Sequence, residues 1–299
     1  MNKLQHGRYI DPMIDIAFKH IFGSGGSKEL LIHFLNQIMR GRKVITDLSY
    51  SENEHPGETE NEGGVAFDLL CRGEQGERFL IEVQRSKQKY FKERALFYAS
   101  KLIVEQAPRG KRKEWKYNIS EVYLIALLED FKVSEGTETA YLHDICLCNR
   151  DTGLIFYDKL GFTFIELSIF VKEEEELETE LDWWLYLLKN LSRLNRMPAV
   201  LHHSIFESLF HIAEYSKLTP EDKMLYDASL KARWDNKNAM DYAVEQAEAR
   251  GEARGEAAGL RKQALATARK MLSRGYSVEV IAELTNLSMK EIERLKTGE

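Results

Sequence analysis

VAFDLLCRGEQGERFLIEVQR, residues 65–85, reads as two strands folded back on a single turn. The runs VAFDLLCR (65–72) and RFLIEVQR (78–85) flank GEQGE (73–77), and a glycine-bearing loop between two such runs is a hairpin signal. Antiparallel pairing about that turn makes opposite residues sum to about 149 or 150, which sets Asp68 against Glu82 with β-carbons about 5 Å apart. Alternation then gives Phe67, Leu69, Phe79, Ile81 and Val83 one apolar face, and Asp68, Glu82 and Gln84 the other. Two opposed carboxylates repel and weaken a sheet unless a cation lies between them. Hard Mg²⁺ takes one or two carboxylates plus waters and a substrate phosphate, so the pair suits a metal half-site. A register slipped by one gives the other reading, in which Asp68 meets an arginine such as Arg78 in an ordinary surface ion pair.

Outward from the hairpin, helical and extended patterns alternate. Asp11-Pro12 is an N-cap followed by proline at the first helical position, where the missing N–H costs nothing. A short helix through Phe18, Ile21 and Phe22 stops at GSGG (23–26), Ser27 caps the next, and KELLIHFLNQIMR (28–40) has helical spacing. VITDLSYSE (44–52) is a strand. After the hairpin, YFKERALFYASKLIVEQA (90–107) returns to a helical period, EVYLIALLED (121–130) is a buried strand, and further strands are expected at 141–148 and 162–169. The order is that of a mixed α/β domain.

From Glu173 onward the chain is helical. EEEELETE (173–180) holds six acids in eight residues and opens a helix or linker, LDWWLYLLKNL follows, and HHSIFESLFHIAEYSKL carries His202 and His203 in a helical segment. Residues 245–260, EQAEARGEARGEAAGL, repeat ARGE, with Gly251, Gly255 and Gly259 each costing roughly 1 kcal/mol of helix propensity. That spacing leaves room for close helix approach in a homodimer through the C-terminal helices, or marks a solvated connecting rod from about 240 to 273. The last forty residues allow a helix-turn-helix unit, with Ser288 and Glu291 at capping-box spacing and a small core of Ile281, Leu284, Leu287, Ile292 and Leu295. The expected domains are a core over 1–170, a helical extension over 171–245, and over 246–299 a charged linker with helix-turn-helix-like helices.

The 299 residues, 43% hydrophobic, can bury a real core, which excludes disordered and fibrous classes. No apolar run reaches the ~18–20 residues a spanning helix needs, and MNKLQHGRYIDPMIDIAF lacks a signal peptide's apolar segment, so no membrane partner is expected and the compartment is cytoplasmic. Cys71, Cys146 and Cys148 fit a reducing environment. Net charge is −6, yet residues 85–116 carry eleven Lys/Arg against three Glu, a local excess that can attract a polyanion because potential is screened over only about 8–10 Å. His143, Cys146 and Cys148 alternate within a β pattern with no second cysteine pair, a poor zinc signal, and no phosphate-binding loop of the nucleotide type is present.

DPMIDIAFKHIFG (11–23), FDLLC (67–71), FLIEVQ (79–84) and FKERALFYASKL (91–102) resemble the PD-(D/E)XK nuclease superfamily, in particular its bacterial family of recombination-promoting nucleases and transposases. Weaker similarity continues through IELSIF (165–170), Trp183-Trp184 and the C-terminal segment. The resemblance implies a restriction-endonuclease-like core, a mixed β-sheet flanked by helices, with a C-terminal all-α extension. It implies a DNA endonuclease that uses Mg²⁺ or Mn²⁺ to hydrolyse phosphodiester bonds in double-stranded DNA, in recombination or transposition. Asp68 then matches the metal-binding aspartate, Glu82 the second acidic ligand, and Gln84 the third position, where many members have lysine. Neutral glutamine supplies no charge, so a neighbouring base among Lys19, Arg85, Lys87 and Arg94 must help. Asp15 matches the first acidic residue, with Glu29 its competitor. Arg94 and Tyr98 resemble the polar-x-x-x-Tyr element near the site, and Lys87, Lys89, Lys92 and Arg94 are the expected DNA contacts. A non-catalytic DNA-binding or protein-interaction module on the same scaffold is the rival reading.

Overall fold

The computed structural model describes residues 7–51, 54–55, 65–108, 115–133, 140–201 and 203–297. His202, the end of the strand expected over 44–52 and the 109–114 portion of the basic stretch lie outside the described residues. The chain divides into two compact units, Met1–Leu230 and Lys231–Glu299.

In the first unit, helices α1 (Asp15–Phe22) and α2 (Lys28–Met39) precede strands β1 (Leu48–Tyr50), β2 (Glu54–His55), β3 (Val65–Ala66), β4 (Leu69–Gly73) and β5 (Arg78–Gln84). Helix α3 (Phe91–Val104) crosses to β6 (Val122–Leu128), then come β7 (Leu142–Cys148), β8 (Ile155–Glu166) and helices α4 (Glu180–Asn190) and α5 (Ser204–Ile212). Six strands form one sheet in the order β1-β4-β5-β6-β8-β7, in which β5, β6 and β8 are mutually parallel and the outer pairs antiparallel. This mixed sheet flanked by helices is the expected α/β core.

Layering depends on which residues alternate and which do not. All seven residues of β6, VYLIALL, are buried, as a central strand covered on both faces requires. One sheet face, with Leu69, Cys71, Phe79, Ile81, Tyr123, Ile125 and Leu127, packs against α1, α2, α4 and α5 around the fully buried Trp184. The other, with Leu70, Leu80, Leu124 and Phe164, is covered by Phe91, Ala95, Ala99 and Leu102 of α3. Trp184 touches Phe22, Phe34 and Phe206, and its indole N–H donates to His33 Nδ1 at 2.9 Å, so its one polar group is satisfied inside the core.

Several local expectations are corrected. Asp11 does not cap a helix: its Oδ1 accepts the Met13 N–H at 2.9 Å, closing a separate turn, and α1 starts four residues later after Ile14. The Ser27 hydroxyl turns back to the Ser24 carbonyl instead of capping α2. Residues before Leu48 stay out of the sheet because Asn36 of α2 bonds both backbone groups of Ile45, at 2.8 and 2.9 Å. The first hairpin strand is broken at Phe67–Asp68, so Phe67 joins the α3 face with Leu70 instead of the Leu69 face. Strand β8 starts at Ile155, well before 162, because its first residues pair with β7 through backbone groups across a register shift and carry no buried face for a hydrophobic pattern to reveal.

The second unit takes α6 (Pro220–Ser273) from Lys231 onward, with α7 (Val278–Thr285) and α8 (Met289–Thr297). Ala268, Ile281, Leu287 and Ile292 are buried together, with Leu295 partly buried beside them. Leu284, expected in this core, is instead 67% exposed, on the outer side of its short helix. Ser288 and Glu291 form the reciprocal cap: the Ser288 N–H donates to Glu291 Oε2 at 3.0 Å and the Glu291 N–H to Ser288 Oγ at 3.4 Å. Residues 234–263 of α6 are exposed, and a Cβ at Gly251, Gly255 or Gly259 would meet nothing within 4 Å. Among the described residues no helix is long and apolar enough to cross a membrane.

Truncating the aromatic hub tests this packing. Trp184→Ala should destabilise the first unit by about 3–5 kcal/mol, read as a lower urea midpoint by far-UV circular dichroism; a shift under about 1 kcal/mol would mean that Trp184 is not what joins α2, α4 and α5.

Candidate active site

The hairpin register has partners summing to 150, as Leu69↔Ile81 and Cys71↔Phe79 demonstrate. The Gly73 N–H donates to the Glu77 carbonyl at 2.9 Å, which makes the odd-numbered pairs the hydrogen-bonded ones. Beyond Leu69 the first strand leaves the ladder while β5 runs on to Gln84. The Val83 N–H, which faces the vacated side, is taken by Asp68 Oδ2 at 2.7 Å. Asp68 thus replaces a strand with its own side chain, and that bond holds its carboxyl across from Glu82.

Glu82 is 9% exposed, and its Oε1 is buried without a hydrogen-bond partner. An orphaned carboxylate oxygen is costly and asks for a reason. Burial is the main cause that pushes the Glu82 carboxyl up to about 8; Asp68 and, more weakly, Asp15 add to it, while the Arg94 guanidinium opposes. Asp68 is pushed up to about 6, again chiefly by burial, with the Val83 N–H opposing and Asp15 adding. Asp15, the exposed first residue of α1, is near enough to raise both carboxyls. Lys19, one turn later, forms an ion pair with Asp15 at 3.0 Å and also acts on Asp68. The acid acting on both hairpin carboxyls is therefore Asp15, whereas Glu29 is solvent-exposed at the start of α2.

Gln84 is held at both ends of its amide. Its Oε1 accepts from Arg94 Nη2, and its Nε2 donates to the Ser86 carbonyl at 3.1 Å. Arg94, half-buried on α3, also donates to Gln88 and lies over the rings of Phe91 and Tyr98, 5.7 Å from each centroid. Tyr98 packs edge-on against Phe67 at 5.3 Å, and burial raises its hydroxyl pKa. Of the four bases named from sequence, Arg94 and Lys19 come to the carboxylates; Arg85 turns to Glu129 at 2.9 Å, and Lys87 is exposed on the following segment. Lys89 and Lys92 are exposed there too, Lys89 over the Tyr90 ring. What sequence reasoning missed is the Val83 amide, a backbone group that no residue type announces.

The donors gathered here are all carboxylate oxygens, the set a hard divalent cation takes. The unpartnered Glu82 oxygen, facing Asp68 in a buried site, fits such a cation. Among the described residues no group of three or more His, Cys, Asp or Glu side chains is arranged to hold a metal by itself. His143 lies 3.4 Å from Glu166 and not in a cluster with Cys146 and Cys148, both free thiols.

Residues 12–243 match the family model described as PD-(D/E)XK nuclease family transposase. No curated protein and no solved structure matches the chain.

The Glu82 carboxyl holds its proton in the folded chain up to about 8, against 4.5 ordinarily. Its contribution to stability is therefore complete below the lower value and is lost as pH rises through the upper one. In EDTA, wild-type Tm should fall between about pH 5 and about pH 8.5; Glu82→Gln should raise it by several degrees at the higher pH and change it little at the lower. Equal Tm values for the two proteins at both pH values would contradict a buried, ionising Glu82.

Proposed function

The chain belongs to the PD-(D/E)XK nuclease transposase family, and from that membership and the geometry of the Asp68–Glu82 pair we propose that it is a divalent-metal-dependent endonuclease hydrolysing phosphodiester bonds in double-stranded DNA. The observation that carries the reading is the buried, unpartnered Glu82 oxygen beside a second carboxyl. A family that cuts and rearranges DNA gives such a site its substrate, and recombination or transposition its setting.

Asp68 and Glu82 are the residues that would hold Mg²⁺ or Mn²⁺. The chemistry a bound divalent cation supplies is polarisation of a phosphoryl oxygen and easier deprotonation of water. Everything else falls to the chain. Asp68 is fixed by the Val83 N–H, so its carboxyl keeps one direction. Asp15 adds negative charge at the mouth of the site, moderated by Lys19. Gln84 has no charge to set against the phosphate, but the guanidinium bonded to its oxygen does. Arg94 would thus bring to the third motif position the cation that lysine provides elsewhere, through a neutral spacer held rigid by Ser86. The exposed Lys87, Lys89 and Lys92 would track the DNA backbone without reading bases.

Purified full-length protein should nick supercoiled plasmid with Mg²⁺ or Mn²⁺ and not in EDTA. Asp68→Asn and Glu82→Gln, which keep shape and acceptors, should each lower the rate on the order of 10²–10³-fold with unchanged circular dichroism. Wild-type rates in both variants would remove these residues from the chemistry, and an inert wild-type protein that still binds DNA would favour the non-catalytic scaffold. Replacing Lys87, Lys89 and Lys92 together by glutamine should weaken all DNA sequences alike and flatten log affinity against log salt; an unchanged slope would mean that the segment faces away from DNA.

A further inference from the structure

The same hairpin carries a second like-charge pair, of the opposite sign. Arg72 of β4 and Arg78 of β5 are directly opposed, and Ser49 of β1 is the next residue in that transverse row. Their parity is that of Leu70, Leu80 and Glu82, so they stand on the α3 side of the sheet. Two guanidiniums at opposed positions repel. One of them is compensated: Arg78 Nη1 meets Glu105 Oε2, just past the end of α3, at 3.1 Å. Arg72 is exposed and has no ion pair among the described residues, leaving the row with an excess cation. Burial, and after it Arg72, works against the charge on Arg78.

In front of this row lies a cavity of about 470 Å³ lined by Ser49, Ser51, Leu70, Arg72, Arg78 and Glu105. The walls therefore offer two serine hydroxyls and two guanidiniums, that of Arg78 already bonded to the Glu105 carboxylate and that of Arg72 not, around an opening large enough for a tetrahedral oxyanion and its neighbours. Arginine forks match phosphate geometry in a way ammonium groups do not. Along β5, Arg78 is four residue steps from Glu82, about 13 Å at ~3.3 Å per residue. At about 3.4 Å per nucleotide along a duplex axis, that is a reach of roughly four nucleotides.

We infer that the Arg72–Arg78 cavity is a phosphate-binding subsite, which takes a backbone phosphate of the DNA strand a few nucleotides from the bond held at Asp68 and Glu82. The identity of the strand rests on the nuclease reading; the pocket's affinity for phosphate does not. Such a subsite fixes where along a strand the carboxylates act, without selecting sequence. It also explains why a hairpin tolerates two arginines face to face, since an anion between them turns repulsion into two charge-assisted bonds.

Full-length protein in EDTA, where cutting is off, separates the possible sources of the phosphate. A labelled duplex carrying one neutral methylphosphonate linkage at a time should bind wild type roughly tenfold more weakly when that linkage falls at the subsite. Arg72→Gln should bind the unmodified duplex weaker by a similar factor, lose about 0.9 from the salt slope and be indifferent to that methylphosphonate. In parallel, inorganic phosphate should raise wild-type Tm and not that of Arg72→Gln. If phosphate protects but Arg72→Gln leaves the duplex results unchanged, the subsite stands and its ligand is a free phosphate compound. If neither the duplex nor inorganic phosphate distinguishes folded Arg72→Gln from wild type, the inference is overturned. Absence of DNA binding in wild type would count against the nuclease reading, with the phosphate arm still deciding the pocket.

Discussion

Strands of unequal length leave backbone amides without partners, and in this protein one such amide sets up the site. Strand β5 continues past the point where β4 begins, so the Val83 N–H would be orphaned at the sheet's edge. Asp68 supplies the missing acceptor at 2.7 Å. An unpaired buried N–H costs about as much as a lost hydrogen bond, so the carboxyl is held there by the sheet's own need. The chain leaves the ladder at that residue, Phe67 is thrown to the α3 side, and Asp68 is left opposite Glu82.

The resulting pair is an unfavourable arrangement that the rest of the unit must sustain. Burial raises both carboxyls, Asp68 raises Glu82 further and Asp15 raises both, so the metal-free site loses stability wherever both ionise. The counterweight is the core on the opposite face, where Trp184, Phe22, Phe34 and Phe206 pack α1, α2, α4 and α5 onto the sheet. Functional sites commonly hold strain or buried charge that a packed scaffold offsets. The two faces of the sheet accordingly differ in role: one is mainly apolar where it meets Trp184, while the other alternates α3 packing with charged rows.

Those rows are ordered along the hairpin. Arginines 72 and 78 lie near the turn, Leu70 and Leu80 under α3 come next, and Asp68 with Glu82 stands at the far end. Helix α3 spans the same stretch in the reverse direction: Arg94 in its first turn meets Gln84, and Glu105 past its end meets Arg78. A cation at the carboxylate end is thereby bonded to Gln84, and a carboxylate at the arginine end to Arg78.

The sequence by itself determined the features that local periodicity controls. The glycine-bearing turn narrowed the hairpin register to a sum of 149 or 150, of which the structure takes 150, alternation gave Glu82 and Gln84 one face, and the apolar run of β6 announced a buried strand, because pairing and pleat depend on neighbours a few residues apart. The mixed α/β order and the capping pair Ser288–Glu291 were legible for the same reason. Tertiary structure alone decided the rest. Which base reaches Gln84 depends on how α3 lies over the sheet, and four bases were equally eligible until the fold brought Arg94 there. That Asp15 acts on both hairpin carboxyls depends on where α1 begins, and Phe67 changes face where the Asp68 side chain takes the Val83 amide. The Arg72–Arg78 row was written in the register all along, but an opposed pair becomes a pocket only when β1 and the end of α3 supply its walls.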